Sequence, residues 1–156
     1  MVVQQPIRIA LVGLGTVGSG VIRLIENNAA LIADRAGRPL EIVAINARDR
    51  SRPRECDISA YRWIDDPLSL PGDADVDLIV EMVGGEAGLA LDLARASLSA
   101  GKGFVTANKA MIAHHGQELG RLAEQHGAPL RYEAAVAGGI PVIKGLREGL
   151  AANRIE

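Results

Sequence analysis

The sequence predicts an α/β fold in which a doubly wound, open parallel sheet carries helices on both faces. Three observations predict it. Short apolar runs rich in β-branched residues recur at Ile7–Val12 (IRIALV), Leu40–Ala47 (LEIVAINA) and Asp77–Val83 (DLIVEMV). Segments with apolar residues three and four apart alternate with these runs. A glycine cluster at Gly13, Gly15 and Gly18 separates the first run from the first helical segment. Continuous apolar runs suit strands buried on both faces, and strand–helix alternation gives parallel strands joined by right-handed crossovers.

The elements follow in order. Ile7–Val12 is the first strand. A helix is expected from Thr16 to Ala36, its apolar face made of Val17, Val21, Leu24, Ile25, Leu31 and Ile32, with Asn28 as the polar member. Gly37 and Pro39 stop it. After the second strand, Arg48, Arg50, Arg52 and Arg54 alternate through a loop that Pro53 keeps non-helical. Ile58–Ile64 is expected as a short strand, and the acidic stretch DDPLSLPGDAD as turn. The strand Asp77–Val83 ends at Gly84–Gly85. A helix over Gly88–Ala100 presents Leu89, Leu93, Ala96 and Ala100. Phe104–Thr106 and Leu130–Tyr132 are short strands flanking a helix at Ala110–His126, expected to break near His114, with Leu119, Leu122 and Ala123 inward. Pro141 opens a last helix, VIKGLREGL.

Composition narrows the function classes. The 156 residues contain 48% apolar and only 3% aromatic side chains, so the core is aliphatic. Seventeen basic and nineteen acidic residues give a net charge of -2, which argues against a nucleic-acid partner. No apolar run approaches a membrane span. Cys56 is the single cysteine, which excludes an intrachain disulfide and fits a reducing, cytoplasmic setting.

GLGTVG carries the spacing G-x-G-x-x-G between a strand and a helix, the context that gives this short motif its meaning. Gly13 permits the tight turn, Gly15 lets a diphosphate approach the backbone, and Gly18 lets the helix pack against the strand. Amides at the helix start, with the positive end of its dipole, favour the anion. The second strand ends in Ala44-Ile45-Asn46-Ala47-Arg48-Asp49-Arg50, without the acid that would hold a ribose diol there. Arg48 and Arg50 instead suit a 2′-phosphate, which favours NADP(H) over NAD(H), while Asp49 leaves NAD(H) open.

Lys109, between a strand and a helix start, sits where the helix dipole disfavours a structural lysine. It is either a ligand-facing charge or a solvated side chain beside its N-cap. Asn108 either caps that helix or offers its amide to a ligand. Glu81, Gly84 and Gly85 end a strand and are placed to shape a cofactor crevice. Glu133 precedes a glycine-rich loop; it either holds a hard cation together with loop carbonyls or binds a helix N-terminus. His114, His115 and His126 form no convincing zinc site.

These motifs together resemble the N-terminal half of homoserine dehydrogenases. The resemblance rests on GLGTVGSGV at Gly13–Val21, VEMVGG at Val80–Gly85, VTANKAMIAHHGQEL at Val105–Leu119 and YEAAVAGGIPVIKGLREGL at Tyr132–Leu150. It implies a Rossmann-like NAD(P)-binding domain over residues 1–150, and residues 151–156 as the first of a substrate and dimerisation domain cut short here. It implies the reversible reduction of L-aspartate 4-semialdehyde to L-homoserine, toward threonine, methionine and isoleucine. Gly13, Gly15, Thr16, Val17, Gly18, Gly84, Asn108 and Lys109 would then meet the cofactor. Lys109 would lie near substrate and nicotinamide, the principal acid–base lysine belonging to the later domain. Glu133 with the carbonyls of Val136, Gly138 and Ile140 would hold a monovalent cation, sodium. The intact enzyme would be a homodimer, and this chain alone would bind cofactor, remain catalytically incomplete and be monomeric or expose a surface. The alternatives are the cofactor half of another small-substrate dehydrogenase and a non-catalytic nucleotide-sensing module.

Overall fold

The structure, a computed structural model, describes residues 4–136, 140 and 142–149. Six parallel strands form one sheet: β1 (Ile7–Val12), β2 (Leu40–Asn46), β3 (Arg62–Trp63), β4 (Leu78–Glu81), β5 (Gly103–Thr106) and β6 (Leu130–Arg131). Their order is β3-β2-β1-β4-β5-β6, so the winding reverses between β1 and β4. That is the Rossmann-like arrangement the alternation predicts. Ligands in such sheets bind beyond the strand carboxyl ends at this reversal.

Side chains of β1 alternate between two cores, as a strand's period of two requires. Ile9 and Leu11 pack with Ile22 and Ile25 of the first helix. Ala10 and Val12 pack on the other face with Leu93, Leu98, Met111 and Leu119. Phe104, at the centre of β5, is the one phenylalanine and is fully buried in this second core.

The helices depart from expectation in register more than in place. The long first helix divides into α1 (Thr16–Asn27) and α2 (Ala29–Ala36). Asn28 makes the break: its side-chain amide donates to the Leu24 carbonyl at 2.9 Å, competing with the helix's own ladder. The expected apolar face is also rotated. Val17, Leu24 and Leu31 are exposed, while Ile22 is fully buried. Apolar residues occupy both phases, and the sheet selects the one containing Gly18, Ile22 and Ile25. Full burial of one isoleucine contributes about 2 kcal/mol, enough to set the phase.

The next helix, α3 (Leu89–Ser99), keeps Leu93 of the expected stripe buried but turns Leu89 and Ala100 outward, and buries Ala90, Ala94, Ser97 and Leu98 beside it. The helix α4 (Lys109–His126) is continuous through His114, and its Leu119 and Ala123 are buried as expected. Before it, β3 is limited to two residues, because Asp57 binds the Ser59 amide and holds the preceding segment in a turn. Beyond β6 lie α5 (Glu133–Val136) and α6 (Val142–Lys144), the latter continuing as a wider turn over Gly145–Gly149. Pro141, expected to open that helix, and residues 151–156, expected to begin another domain, lie outside the described residues. No helix among the described residues is long and apolar enough to cross a membrane.

Candidate functional site

The carboxyl edge of β1, β2 and β4 opens into a cavity of about 690 Å³, lined among others by Gly13, Gly15, Arg48, Arg52 and Gly84. A smaller cavity of about 200 Å³ adjoins it toward β5, lined by Val17, Glu81 and Asn108. The two share Met82, Val83 and Gly84 as a common wall.

The three glycines of the first loop have separable reasons. Gly13 has φ +102°, and a Cβ there would lie 2.7 Å from the Met82 carbonyl. A Cβ on Gly18 would overlap the Gly13 carbonyl oxygen. Both are required by the protein's own packing. Gly15 differs, because nothing lies within 4 Å of the position its Cβ would take, and it lines the larger cavity. It also precedes α1 as an N-cap without a side-chain hydrogen bond, and no acid occupies that helix's first turn. The amides of Thr16, Val17 and Gly18 therefore stand at the positive end of a helix without an internal acceptor. Thr16 and Val17 are exposed there. This cradle fits the diphosphate of a dinucleotide.

The arginine loop after β2 is organised by Arg54. Its guanidinium donates to the carbonyls of Arg50 and Arg52, at 3.1 and 2.8 Å, and to that of Asp49. Arg48, Arg52 and Arg54 reach the cavity lining. Arg50 is absent from the lining; its guanidinium lies over the Trp63 ring, 5.5 Å from the centroid. Asp49 reaches the lining, but its carboxylate accepts from the Ser51 hydroxyl at 2.7 Å and amide at 2.8 Å. Those bonds, the hydroxyl's first, hold its carboxyl below the usual carboxylate range. Arg52 and Arg54 belong to the alternating run visible in sequence, yet nothing local singles them out as the ones facing the cavity.

On the other side of the reversal, Glu81 is fully buried. Its Oε1 accepts from the amides of Val83 (2.5 Å) and Gly84 (3.0 Å), and its Oε2 from the Thr106 hydroxyl (2.5 Å). The Thr106 oxygen in turn accepts from the Asn108 amide at 2.9 Å. Asn108 Oδ1 accepts from the Met111 amide at 3.1 Å, so the residue caps α4, and its Nδ2 donates to the Gly85 carbonyl at 2.5 Å. Capping, one of the two roles open from sequence, is thus the one its oxygen performs. Lys109 begins α4, is exposed and makes no ion pair or side-chain hydrogen bond among the described residues.

Glu133 stands apart from this edge chemistry. Its Oε1 accepts from the Lys144 amide at 3.2 Å, tying α5 to α6. That is the helix-binding alternative left open by the sequence. Val136 and Ile140 are exposed, and Gly138 lies outside the described residues. His114 lies 3.5 Å from Glu86 and His115 3.6 Å from Glu118, both near the surface of α4.

Comparison with known proteins agrees with this geometry. The family described as homoserine dehydrogenase, NAD binding domain, matches residues 13–133. A homoserine dehydrogenase of Pseudomonas aeruginosa is 46% identical over 97% of this chain, and one of Corynebacterium glutamicum 43% identical over 95%. The chain spans 34% and 33% of those two relatives, respectively. The crystal structure of a homoserine dehydrogenase from Thiobacillus denitrificans superposes with a TM-score of 0.88 at 41% identity, over 97% of this chain and 35% of that one. A hyperthermophilic archaeal homoserine dehydrogenase in complex with NADPH superposes with a TM-score of 0.78 at 25% identity, over 95% and 50%. The glycine cradle, the sheet reversal behind it and these matches agree: the chain belongs to the homoserine dehydrogenase family and corresponds to its NAD-binding domain.

Proposed function

We propose that this chain forms the cofactor site of an enzyme that interconverts L-aspartate 4-semialdehyde and L-homoserine in the cytoplasm, and that NADP(H) is its preferred cofactor. The observation that carries the reading is the open space at Gly15 beside the uncapped start of α1. The diphosphate lies on the amides of Thr16, Val17 and Gly18. The adenosine end runs toward β2, where Arg48 and Arg52 make no ion pairs among the described residues. Two guanidinium groups there suit a 2′-phosphate. Asp49 already accepts from the Ser51 amide and hydroxyl at Oδ1, which leaves only Oδ2 for a ribose hydroxyl rather than the two oxygens that would clamp a diol.

The nicotinamide, when bound, supplies or accepts the hydride. Lys109 faces the same edge, and its ammonium stabilises the alkoxide that develops on the substrate oxygen. Asn108 fixes the start of α4 and so the position from which Lys109 reaches. Glu133 and the carbonyls of Val136, Gly138 and Ile140 hold a sodium ion, whose role is structural; the bond from Glu133 Oε1 to Lys144 leaves the other carboxylate oxygen for it. The rest of the substrate site and the homodimer contact belong to sequence of the kind that makes up the remaining two thirds of the relatives. The chain by itself therefore binds NADPH and oxidises homoserine little or not at all.

Titration of the 156-residue chain with NADPH and NADH, at one fixed salt concentration, tests this. Saturable binding with NADPH the tighter ligand supports it. Tighter NADH binding overturns the cofactor preference, and binding of neither overturns the whole assignment.

A further inference from the structure

Glu81 is the one charged residue among those described that has no solvent exposure. No lysine, arginine or histidine pairs with it among the described residues. A buried carboxylate is costly unless hydrogen bonds hold it. Here three do, and they form part of a closed ring. The carboxylate holds the Val83 and Gly84 amides and the Thr106 hydroxyl; Thr106 holds the Asn108 amide; Asn108 returns to the Gly85 carbonyl. The ring fastens the loop after β4 to the turn before α4. It also fixes Gly84 and Gly85 in the left-handed conformation, at φ +82° and +95°.

Its location matters as much as its bonds. The ring underlies the wall shared by the two cavities and ends one residue before Lys109. The diphosphate cradle lies at β1, and the arginine loop extends away from it over β2. The β4–β5 side is left for the opposite end of the ligand.

We propose that Glu81 is a positioning residue for the nicotinamide half of the dinucleotide site, acting directly on Val83 and Gly84 and, through Thr106 and Asn108, on Lys109. The inference rests on the cofactor reading above. The polarity of the ring is specific: Asn108 N–H donates to Thr106 Oγ1, whose own proton goes to Glu81 Oε2. Glu81→Gln replaces one acceptor of that pair with a donor and breaks the sequence. Thr106→Val keeps the side-chain shape and removes the hydroxyl, while Thr106→Ser keeps it.

The test compares the dissociation constants of NADPH and NADH with that of ADP-ribose, which carries adenosine and diphosphate but no nicotinamide. Glu81→Gln and Thr106→Val are expected to weaken the preferred dinucleotide about tenfold, the scale of one lost charged hydrogen bond. ADP-ribose binding stays within about twofold of the parent chain, where no such bond is lost. Thr106→Ser restores dinucleotide binding. The emission of bound NADPH, which reports the surroundings of the nicotinamide, shifts in the first two variants and not in the third. Equal weakening of dinucleotide and ADP-ribose, or no weakening of either, overturns the proposal. Should Glu81→Gln fail to fold, the Thr106 pair decides by the same criterion. A parent chain that binds none of the three ligands overturns the cofactor reading, and this inference with it.

Discussion

The two edges of the sheet treat charge in opposite ways. At the amino edge, Arg8 at the start of β1 reaches across to β4 and binds Asp77 through two side-chain bonds of 2.9 and 3.1 Å, with Asp75 at 3.0 Å. Lys102, just before β5, donates to the Asp73 carbonyl at 2.6 Å and to that of Val76. At the carboxyl edge, Arg48, Arg52 and Lys109 have no such partners among the described residues, and the first turn of α1 carries no acid. Cations satisfied within the chain tie strands together, and cations left open beside a helix N-terminus are placed for an anion. Under the proposed function, the contrast separates residues that hold the sheet from residues that would serve its ligand.

The glycine loop offers the sharpest way to break that separation. Gly18→Ala drives a methyl into the Gly13 carbonyl, and the chain is expected to lose about 3 kcal/mol or fail to fold, measured by urea denaturation. Gly15→Ala meets no protein atom, so its unfolding midpoint should stay near that of the parent while NADPH binding is lost. If the two variants lost stability alike, the space at Gly15 would not belong to a ligand. Next in size, Arg48→Ala is expected to weaken NADPH by about tenfold and leave NADH unchanged, read by titration at one ionic strength.

The amino edge predicts a smaller, pH-dependent effect. The Arg8 guanidinium holds the Asp77 carboxyl down at about 2. A carboxyl that holds its proton less tightly in the folded chain adds stability above the ordinary range near pH 4, and that share disappears as pH falls toward 2. Asp77 is partly exposed, so solvent screening keeps the share below about 1 kcal/mol. Asp77→Asn should flatten the acid limb of the unfolding curve between pH 4 and 2, followed by circular dichroism. The smallest effect belongs to Lys109→Ala. It removes a cation from the positive end of α4 and should raise stability by a few tenths of a kcal/mol. A loss of stability there would place Lys109 with the structural charges of the other edge.

Much of the fold was legible in the sequence because β1, the glycine loop and the run from Val105 to Leu119 each carry a local reason for their conformation. Gly13 and Gly18 are fixed by contacts within a few residues of chain or across one strand pair. Helix phase was less legible. Val17, Leu24 and Leu31 form as regular a stripe as Gly18, Ile22 and Ile25, and only the sheet chooses between them. The site divides along the same line. Asn108 advertises itself as a cap, and Glu81 as an acid at a strand end. Thr106 does not, because its partner lies 25 positions away and the pairing exists only once β4 and β5 are side by side. Arg50 and Arg52 are equivalent in the alternating run; the Trp63 ring draws one aside and leaves the other at the cavity.

The division of the first helix at Asn28 carries a consequence for local stability. No residue of α2 is buried, whereas α1 buries four. Segments with few apolar contacts open at free energies far below that of the whole domain. Amide protons of Ala29–Ala36 should thus exchange with deuterium long before those of Thr16–Asn27, and a protease cutting near Leu31 would sever the chain while leaving the diphosphate cradle standing.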